Sequence, residues 1–278
     1  MPEAVGVEMS TPQLTRRQFE VIRDLVYDIS GIDLRAGKEG LVQSRLSKRL
    51  RKLGLADYDD YLALVESDSS GEELSHLIDL LTTNKTSFFR EAQHLDYLAE
   101  RLLTPAFAER KPVRIWSAGC SSGEEPYSIA MVAKQVPGGD RSDLRILATD
   151  LSTVVLARAK AALYEERHLD GVTPNILREY FQAVKQGKSR VYRVRDDLRA
   201  QVKFARLNLM DAWPMKGPFD AIFCRNVMIY FDKETQERLV SRFAGVLAPG
   251  GHLFVGHSES LSGIRHGLRY VRPAVYAR

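Results

Sequence analysis

From residue 113 onward, short β-rich runs alternate with helical ones, and this alternation restricts the fold more than any other feature of the chain. The runs read VRIWSA, EEPYSIAMVAKQ, LRILATD and STVVLARAKAAL, and further on AQVKFARLN, FDAIFCRN, ETQERLVSRFAGVL and HLFVGHS. A strand pairs in parallel with its successor only through a long crossover, usually a helix. Alternation of this kind therefore predicts an α/β fold: a mainly parallel sheet, helices on both faces, and a ligand crevice at the carboxyl ends of the strands. The expected domain covers 113–278, with Glu109 to Pro112 at its opening. Upstream, the pattern is helical only. Phe19, Ile22, Leu25, Val26 and Ile29 recur at helical spacing and Gly31 follows as a stop. These features predict a helical domain over 14–84, a linker and connecting helix over 85–112, and a flexible N-terminus over 1–13.

One stretch breaks the alternation. About 38 residues separate the helix ending near Leu163 from the strand near Val202, far above the usual 2 to 6 for a connection. Residues 164–200 are therefore expected to be an insertion holding a helix, TPNILREYF, and a strand or hairpin, SRVYRVRDDL. The 278 residues include two cysteines, Cys120 and Cys224, without a CxxC spacing. The N-terminus lacks a basic flank and an apolar h-region, and no apolar run approaches the roughly 20 residues needed to cross a bilayer. A reducing, cytoplasmic setting is the expectation.

The segment Gly119 to Gly123 follows the first strand and opens a helix, where α/β folds bind nucleotide-like ligands. Its spacing is G-x-x-x-G rather than the dinucleotide G-x-G-x-x-G. Glu124 and Glu125 in the first helical turn would oppose a pyrophosphate. A well-made helix start accounts for the same residues, because acidic side chains complement the helix dipole and Pro126 suits an early position. The alternative is a cationic ligand such as S-adenosylmethionine, which carries an ammonium and a sulfonium but no phosphate. Asp150, directly after the second strand, stands where an acidic residue accepts both ribose hydroxyls. It could instead cap the next helix, although Ser152 is available for that task. Asn208 and Leu209 close one later strand, Arg225 and Asn226 another, and both strand ends reach the same crevice. Pro249-Gly250-Gly251 reads as a turn into HLFVGHS.

Taken together, GCSSGEEPYSIA, NKTSFFRE (84–91), FDAIFCRNVMIYFDKETQ (219–236) and GHSES (256–260) closely resemble the chemotaxis receptor methyltransferases, the CheR family, and the likeness covers about residues 15–278. The resemblance implies a small helical domain joined to a Rossmann-like S-adenosylmethionine-dependent methyltransferase domain with an inserted β-subdomain. It implies methyl esterification of glutamate side chains on the cytoplasmic helices of chemoreceptors, with S-adenosylhomocysteine as the other product, by an enzyme recruited to membrane receptor arrays. It implies that Asn84, Thr86 and Arg90 contact the cofactor and that Glu124, Asp150, Asn208, Leu209, Arg225 and Asn226 complete its pocket. Tyr230 joins Arg225 at the reacting end. Asn84 or Thr86 before an apolar pair and Glu91 also reads as a helix cap. In some members the inserted subdomain adds a receptor's C-terminal peptide as an extra strand; here the turn reads KQGKSR, which does not match the peptide-binding version clearly.

The chemistry so implied asks little of the protein. A glutamate carboxylate is ionised at neutral pH and is its own nucleophile, so positioning replaces a catalytic base. Arg225 can hold the substrate carboxylate, and Tyr230 can donate a hydrogen bond or pack near the sulfonium. Cys120 and Cys224 lack a histidine partner for covalent catalysis. The six histidines show no metal-ligand spacing, and no metal is expected.

The formal net charge is only +4, so any electrostatic message lies in its distribution. Residues 35–52 carry seven positive charges against one negative, whereas 57–79 carry eight negative and no Lys or Arg. Arg45, Lys48, Arg49 and Lys52 share one helical face beside the apolar stripe Val42, Leu46, Leu50 and Leu53. This is either a solvated face or a docking ridge for acidic receptor helices. A nucleic-acid methyltransferase could use such a ridge on phosphates, but the strand end Asn226-Val227-Met228-Ile229-Tyr230 lacks the D/N-P-P-Y/F pattern. A noncatalytic adaptor on the same fold is the other reading. A nicotinamide dehydrogenase is disfavoured by the two glutamates at the phosphate position.

Overall fold

The computed structural model of the chain describes residues 12–82, 84–186 and 189–278, and the chain divides into two units between Thr83 and Asn84. Most of the expected N-terminal segment 1–13 lies outside the described residues, as do Gly187 and Lys188 of the KQGKSR turn.

The first unit is helical: α1 (Arg16–Ser30), α2 (Glu39–Leu53), α3 (Tyr58–Ser67) and α4 (Glu72–Leu81). Local chemistry sets the ends. Thr15 and Gln18 form a reciprocal capping box at the start of α1, and Gly31, at φ 72°, takes the left-handed position that ends it. The Asp57 side chain caps α3. Ile22, Val26, Val42, Leu46, Leu50, Tyr58, Tyr61 and Leu77 are fully buried between the helices. Of the stripe read from the sequence of α2, Val42, Leu46 and Leu50 thus face the core and Leu53 is half-buried.

In the second unit, α5 (Ala92–Leu98) and α6 (Thr104–Ala108) are joined by a π-helical turn and precede β1 (Val113–Ala118). Then follow α7 (Glu124–Gln135), β2 (Leu144–Asp150), α8 (Thr153–Ala161), β3 (Leu163–Glu165), α9 (Pro174–Tyr180), β4 (Phe181–Gln186), β5 (Ser189–Val194), α10 (Asp196–Arg199) and β6 (Val202–Arg206). The chain ends with β7 (Phe219–Cys224), α11 (Lys233–Val246), β8 (Leu247–Val255), β9 (Arg269–Arg272) and β10 (Val275–Ala277). Residues 85–112, expected as linker and connecting helix, pack Phe88, Leu95, Leu98, Leu103 and Phe107 into one core with Ile115, Ala130 and Ile146.

The main sheet has the order β6-β2-β1-β7-β8-β10-β9. β6, β2, β1, β7 and β8 are parallel neighbours, while β10 runs antiparallel to both β8 and β9. The chain winds outward from β1 through β2 to β6, then returns to the other side of β1 with β7. The switch point, where such folds bind ligands, lies between β1 and β7. Trp116 anchors this centre: it packs on Trp213, Phe219 and Phe243 and donates from Nε1 to Thr149 Oγ1 at 2.9 Å.

The insertion is a second sheet of order β3-β5-β4, docked through Phe88, whose ring meets Tyr164 and Phe181 edge-on at 4.9 and 5.4 Å. Several local expectations are corrected. Leu163 belongs to a strand, since α8 stops at Ala161 and Ala162 turns left-handed at φ 55°. The tail of SRVYRVRDDL is a short helix, with Asp196 and Asp197 in a first turn that favours acidic residues. Pro249, Gly250 and Gly251 lie within β8 rather than before it, opposite a register shift between Phe219 and Ala221. Sequence reading missed β9 and β10, which are only four and three residues long.

Candidate active site

At the carboxyl edge of the second unit, the turn after β1, the ends of β2, β6, β7 and β8, and the segment 84–91 converge. The β1 turn is possible only with glycine. Gly119 sits at φ 87°, and a Cβ there would lie 2.4 Å from Val227 Cγ2, so the β1 and β7 loops touch at this point. Ser121, left-handed at φ 49°, donates its backbone N–H to Asp150 Oδ2 at 2.8 Å and its hydroxyl to the Asn84 carbonyl at 3.0 Å. Asp150 Oδ1 also accepts the Ser152 N–H at 3.0 Å. The two readings of Asp150 separate here: Ser152 caps α8, its hydroxyl accepting from Val155 N, and Asp150 is held beside the turn.

The adjacent glutamates do different work. Glu124 is 4% exposed, accepts the Ser122 hydroxyl at 2.7 Å, and its carboxyl is pushed up by burial. Glu125 turns the other way: Oε1 accepts the Ser117 hydroxyl at 2.6 Å and Oε2 pairs with Arg225 Nε at 2.7 Å. Arg225 is 7% exposed. Its Nη1 donates to the Arg90 carbonyl at 2.5 Å and lies 3.5 Å from Glu91 Oε2. The guanidinium therefore ties β7 to α7 and to the segment before α5, rather than projecting from the strand edge. Tyr230 lies half-buried in a 3-10 turn, Met228–Tyr230, five residues further on.

The other expected contacts are also placed. Thr86 is half-buried, and Arg90 Nη1 donates to the Lys85 carbonyl at 3.0 Å. The NKTSFFRE segment does not cap α5 with a side chain, because the N-cap is Glu91, without a side-chain hydrogen bond. Asn208 closes a turn after β6: Oδ1 accepts Met210 N at 3.0 Å and Nδ2 donates to Asp211 Oδ1 at 3.1 Å. The Leu209 carbonyl accepts from Trp213 Nε1 at 3.2 Å and Arg242 Nη1 at 2.5 Å. Asn226 is left-handed at φ 59°, and its Oδ1 is buried without a hydrogen-bond partner. Four of the seven non-glycine residues with positive φ among the described residues are Phe89, Glu91, Ser121 and Asn226, all at this edge. Backbone strain concentrates at functional sites.

Sequence reasoning missed three carboxylates that organise the site. The sequence reading of Glu125, as a helix-dipole partner that opposes a pyrophosphate and suits a cation, does not include its pairing with Arg225. Glu91 accepts the His257 N–H at 3.1 Å and faces His94 Nδ1 at 3.3 Å. Glu259, within the quoted GHSES block, accepts backbone N–H groups from Asn226 at 2.7 Å, Gly256 at 2.5 Å and Ile229 at 3.1 Å. Burial pushes its carboxyl up against the opposing pull of these bonds. Only tertiary proximity reveals these roles. Glu91, His94 and His257 bring ligand-type atoms within 4.8 Å of one another, but the Arg225 guanidinium beside Glu91 already supplies that carboxylate with a cation. Burial pushes the Cys120 and Cys224 thiols well up, which argues against thiolate nucleophiles.

The expected ridge on α2 splits in two. Arg49 forms a two-pronged ion pair with Glu73 of α4, through Nη2 and, at 3.0 Å, Nε. Arg45 Nη1 donates to the carbonyls of Leu80 and Thr82 at 3.0 and 2.9 Å, at the end of α4. Lys48 and Lys52 stay exposed, together with Arg51. Half of the basic face therefore holds its own unit together.

The crevice residues suit a cationic nucleoside better than a dinucleotide. Carboxylates stand beside the glycine turn, and the close approach at Gly119 leaves backbone rather than side chain against a ligand. A wound parallel sheet carrying this turn at its switch point, with Asp150 at the end of the neighbouring β2, defines a Rossmann-like domain of the S-adenosylmethionine-dependent methyltransferase class. Residues 84–276 match the family model "CheR methyltransferase, SAM binding domain" and residues 17–82 match "CheR methyltransferase, all-alpha domain"; the chain belongs to the CheR methyltransferase family. It is 46% identical over 266 residues to the chemotaxis protein methyltransferase of Klebsiella aerogenes, covering 95% of this chain and 90% of that one. It is 42% identical over 265 residues to the Escherichia coli chemotaxis protein methyltransferase, covering 95% and 91%. Among the described residues no helix is long and apolar enough to cross a membrane.

Proposed function

We propose that the protein transfers a methyl group from S-adenosylmethionine to glutamate side-chain carboxylates on the cytoplasmic helices of chemoreceptors, forming glutamyl methyl esters for sensory adaptation. One observation carries the reading: a methyltransferase domain of the CheR family whose cofactor turn is flanked by the carboxylates Glu124 and Asp150. In this reading the protein works in the cytoplasm, recruited to membrane receptor arrays.

When bound, S-adenosylmethionine supplies an electrophilic methyl on a sulfonium centre. Asn84, Thr86, Arg90, Gly119, Glu124, Asp150, Asn208, Leu209, Arg225 and Asn226 form its pocket. Asp150, pre-oriented by the Ser121 and Ser152 N–H groups, holds the ribose end. Glu124 adds a second carboxylate on the cofactor side, which favours a cation. The acceptor carboxylate is ionised at neutral pH, so the protein's task is alignment and exclusion of water. Tyr230 and Arg225 form the reacting end, and the carboxylate partners of Arg225 assign it chiefly to holding the loops of that end in register. Lys48 and Lys52, with the engaged Arg45 and Arg49 behind them, present a positive face that suits acidic receptor helices. The hairpin of β4 and β5 offers β4 as an edge strand to which a receptor's C-terminal peptide can add.

The test is transfer of radiolabelled methyl to receptor-enriched membranes by wild type, Arg225→Ala and Tyr230→Phe, with cofactor binding measured on each. Base-labile label on the receptor band, released as methanol and reduced in both variants, is expected. Label on RNA or DNA instead would favour the nucleic-acid reading, and cofactor binding without transfer to any acceptor would favour an adaptor.

A further inference from the structure

Glu259 belongs to none of the groups that would touch cofactor or substrate, yet it is the acceptor on which two site loops close. Its side chain is buried (8% exposed), and among the described residues no basic side chain lies within ion-pair distance of it. Its charge is met by backbone N–H dipoles. Oε2 accepts from Asn226 and Gly256, at the ends of β7 and β8, and Oε1 accepts from Ile229. The fit is close: a Cβ on Gly256 would stand 2.8 Å from Glu259 Oε2 and 2.5 Å from Asn226 Nδ2. The bonded stretch, Asn226 to Ile229, begins with a left-handed asparagine at φ 59° and leads directly into Tyr230.

We propose that Glu259 is a positioning residue: its carboxylate clamps the Asn226–Ile229 turn to the end of β8 and thereby sets where Tyr230 stands. This rests on the methyltransferase reading above. A carboxylate suits the task because it is acceptor-only at both oxygens and so can serve N–H groups on both sides. A glutamine offers one acceptor oxygen and one NH2. With its oxygen serving Asn226 and Gly256, its amide nitrogen faces the Ile229 N–H, and that bond is lost. The cofactor side of the clamp survives and the Tyr230 side loosens.

The experiment compares wild type with Glu259→Gln, and with Glu259→Asp, which keeps the charge on a shorter arm. It measures S-adenosylhomocysteine affinity, kcat and KM for S-adenosylmethionine, thermal midpoint, and amide hydrogen exchange across 226–230. Expected for Glu259→Gln are faster exchange confined to Ile229 and Tyr230, S-adenosylhomocysteine affinity within about threefold of wild type, and a kcat lower by roughly 10- to 100-fold, the scale on which small misplacements act. Glu259→Asp should fall between the two in both exchange and kcat. The proposal is overturned if exchange at 229–230 is unchanged in both variants. It is also overturned if exchange rises across the whole domain with affinity and kcat falling together, which marks a general structural role. A wild type that exchanges as expected but methylates no receptor would contradict the functional reading and leave the clamp standing.

Discussion

Arg225 spends its donors within the chain, on Glu125, on the Arg90 carbonyl and beside Glu91. Removing it strands two largely buried carboxylates, and breaking a buried pair of this kind costs about 3–5 kcal/mol. Arg225→Ala should therefore lose both thermal stability and activity, whereas Tyr230→Phe should lose activity with a smaller drop in melting temperature than Arg225→Ala; differential scanning fluorimetry beside the transfer assay checks the split. His94 carries a second prediction. It is 1% exposed, and desolvation first, then the Arg225 charge, lowers its pKa to about 4, against a smaller upward pull from Glu91. Unfolding releases it to about 6.5. Between these values the unfolded chain binds the proton and the folded chain does not, so stability is lost as pH falls from about 6.5 toward 4 and is complete above 6.5. Urea unfolding at pH 7 and pH 5 should show this loss, on the order of 1–3 kcal/mol, with a smaller pH dependence in His94→Gln. At this scale the sequence was informative about acidic residues next to a glycine turn, because their neighbours are local. It did not show the tertiary partners of Glu91, Glu125 and Glu259: Arg225 lies 134 positions from Glu91 and 100 from Glu125, and Asn226 lies 33 from Glu259.

Helix α2 shows what a single helix face can hide. Spacing alone placed Arg45, Lys48, Arg49 and Lys52 together, and they do share a surface, but α4 covers the Arg45 and Arg49 end. Arg49→Ala should destabilise the first unit by about 3 kcal/mol or more, since it leaves Glu73 buried and unpaired, read as an earlier denaturation midpoint. Lys48→Glu with Lys52→Glu should change stability by no more than about 0.5 kcal/mol while weakening receptor methylation and flattening its salt dependence. Strands were legible where apolar runs are continuous: β1 and β2 coincide with VRIWSA and LRILATD. β9 escaped because Arg269 and Tyr270 are exposed and its other residues only half-buried, so no periodicity marks it. The β4 edge yields one further outcome: a peptide from a receptor C-terminus should bind saturably by calorimetry, and its failure to bind would remove the tethering proposal without touching the active site.

Across the whole molecule, a wound parallel sheet brings five loops and the 84–91 segment to one edge, while the charge of the first unit is partitioned between holding its own helices and facing outward. The reaction proposed here leaves an ester on a receptor glutamate. Mass spectrometry of receptor peptides after incubation with S-adenosylmethionine and the wild-type protein measures this most directly. The expected result is the added mass of one methylene on glutamate residues of the cytoplasmic helices, removed by mild base and absent when the protein is omitted. The same mass on lysine, arginine or a nucleotide, stable to base, or no modified receptor peptide despite bound cofactor, would contradict it.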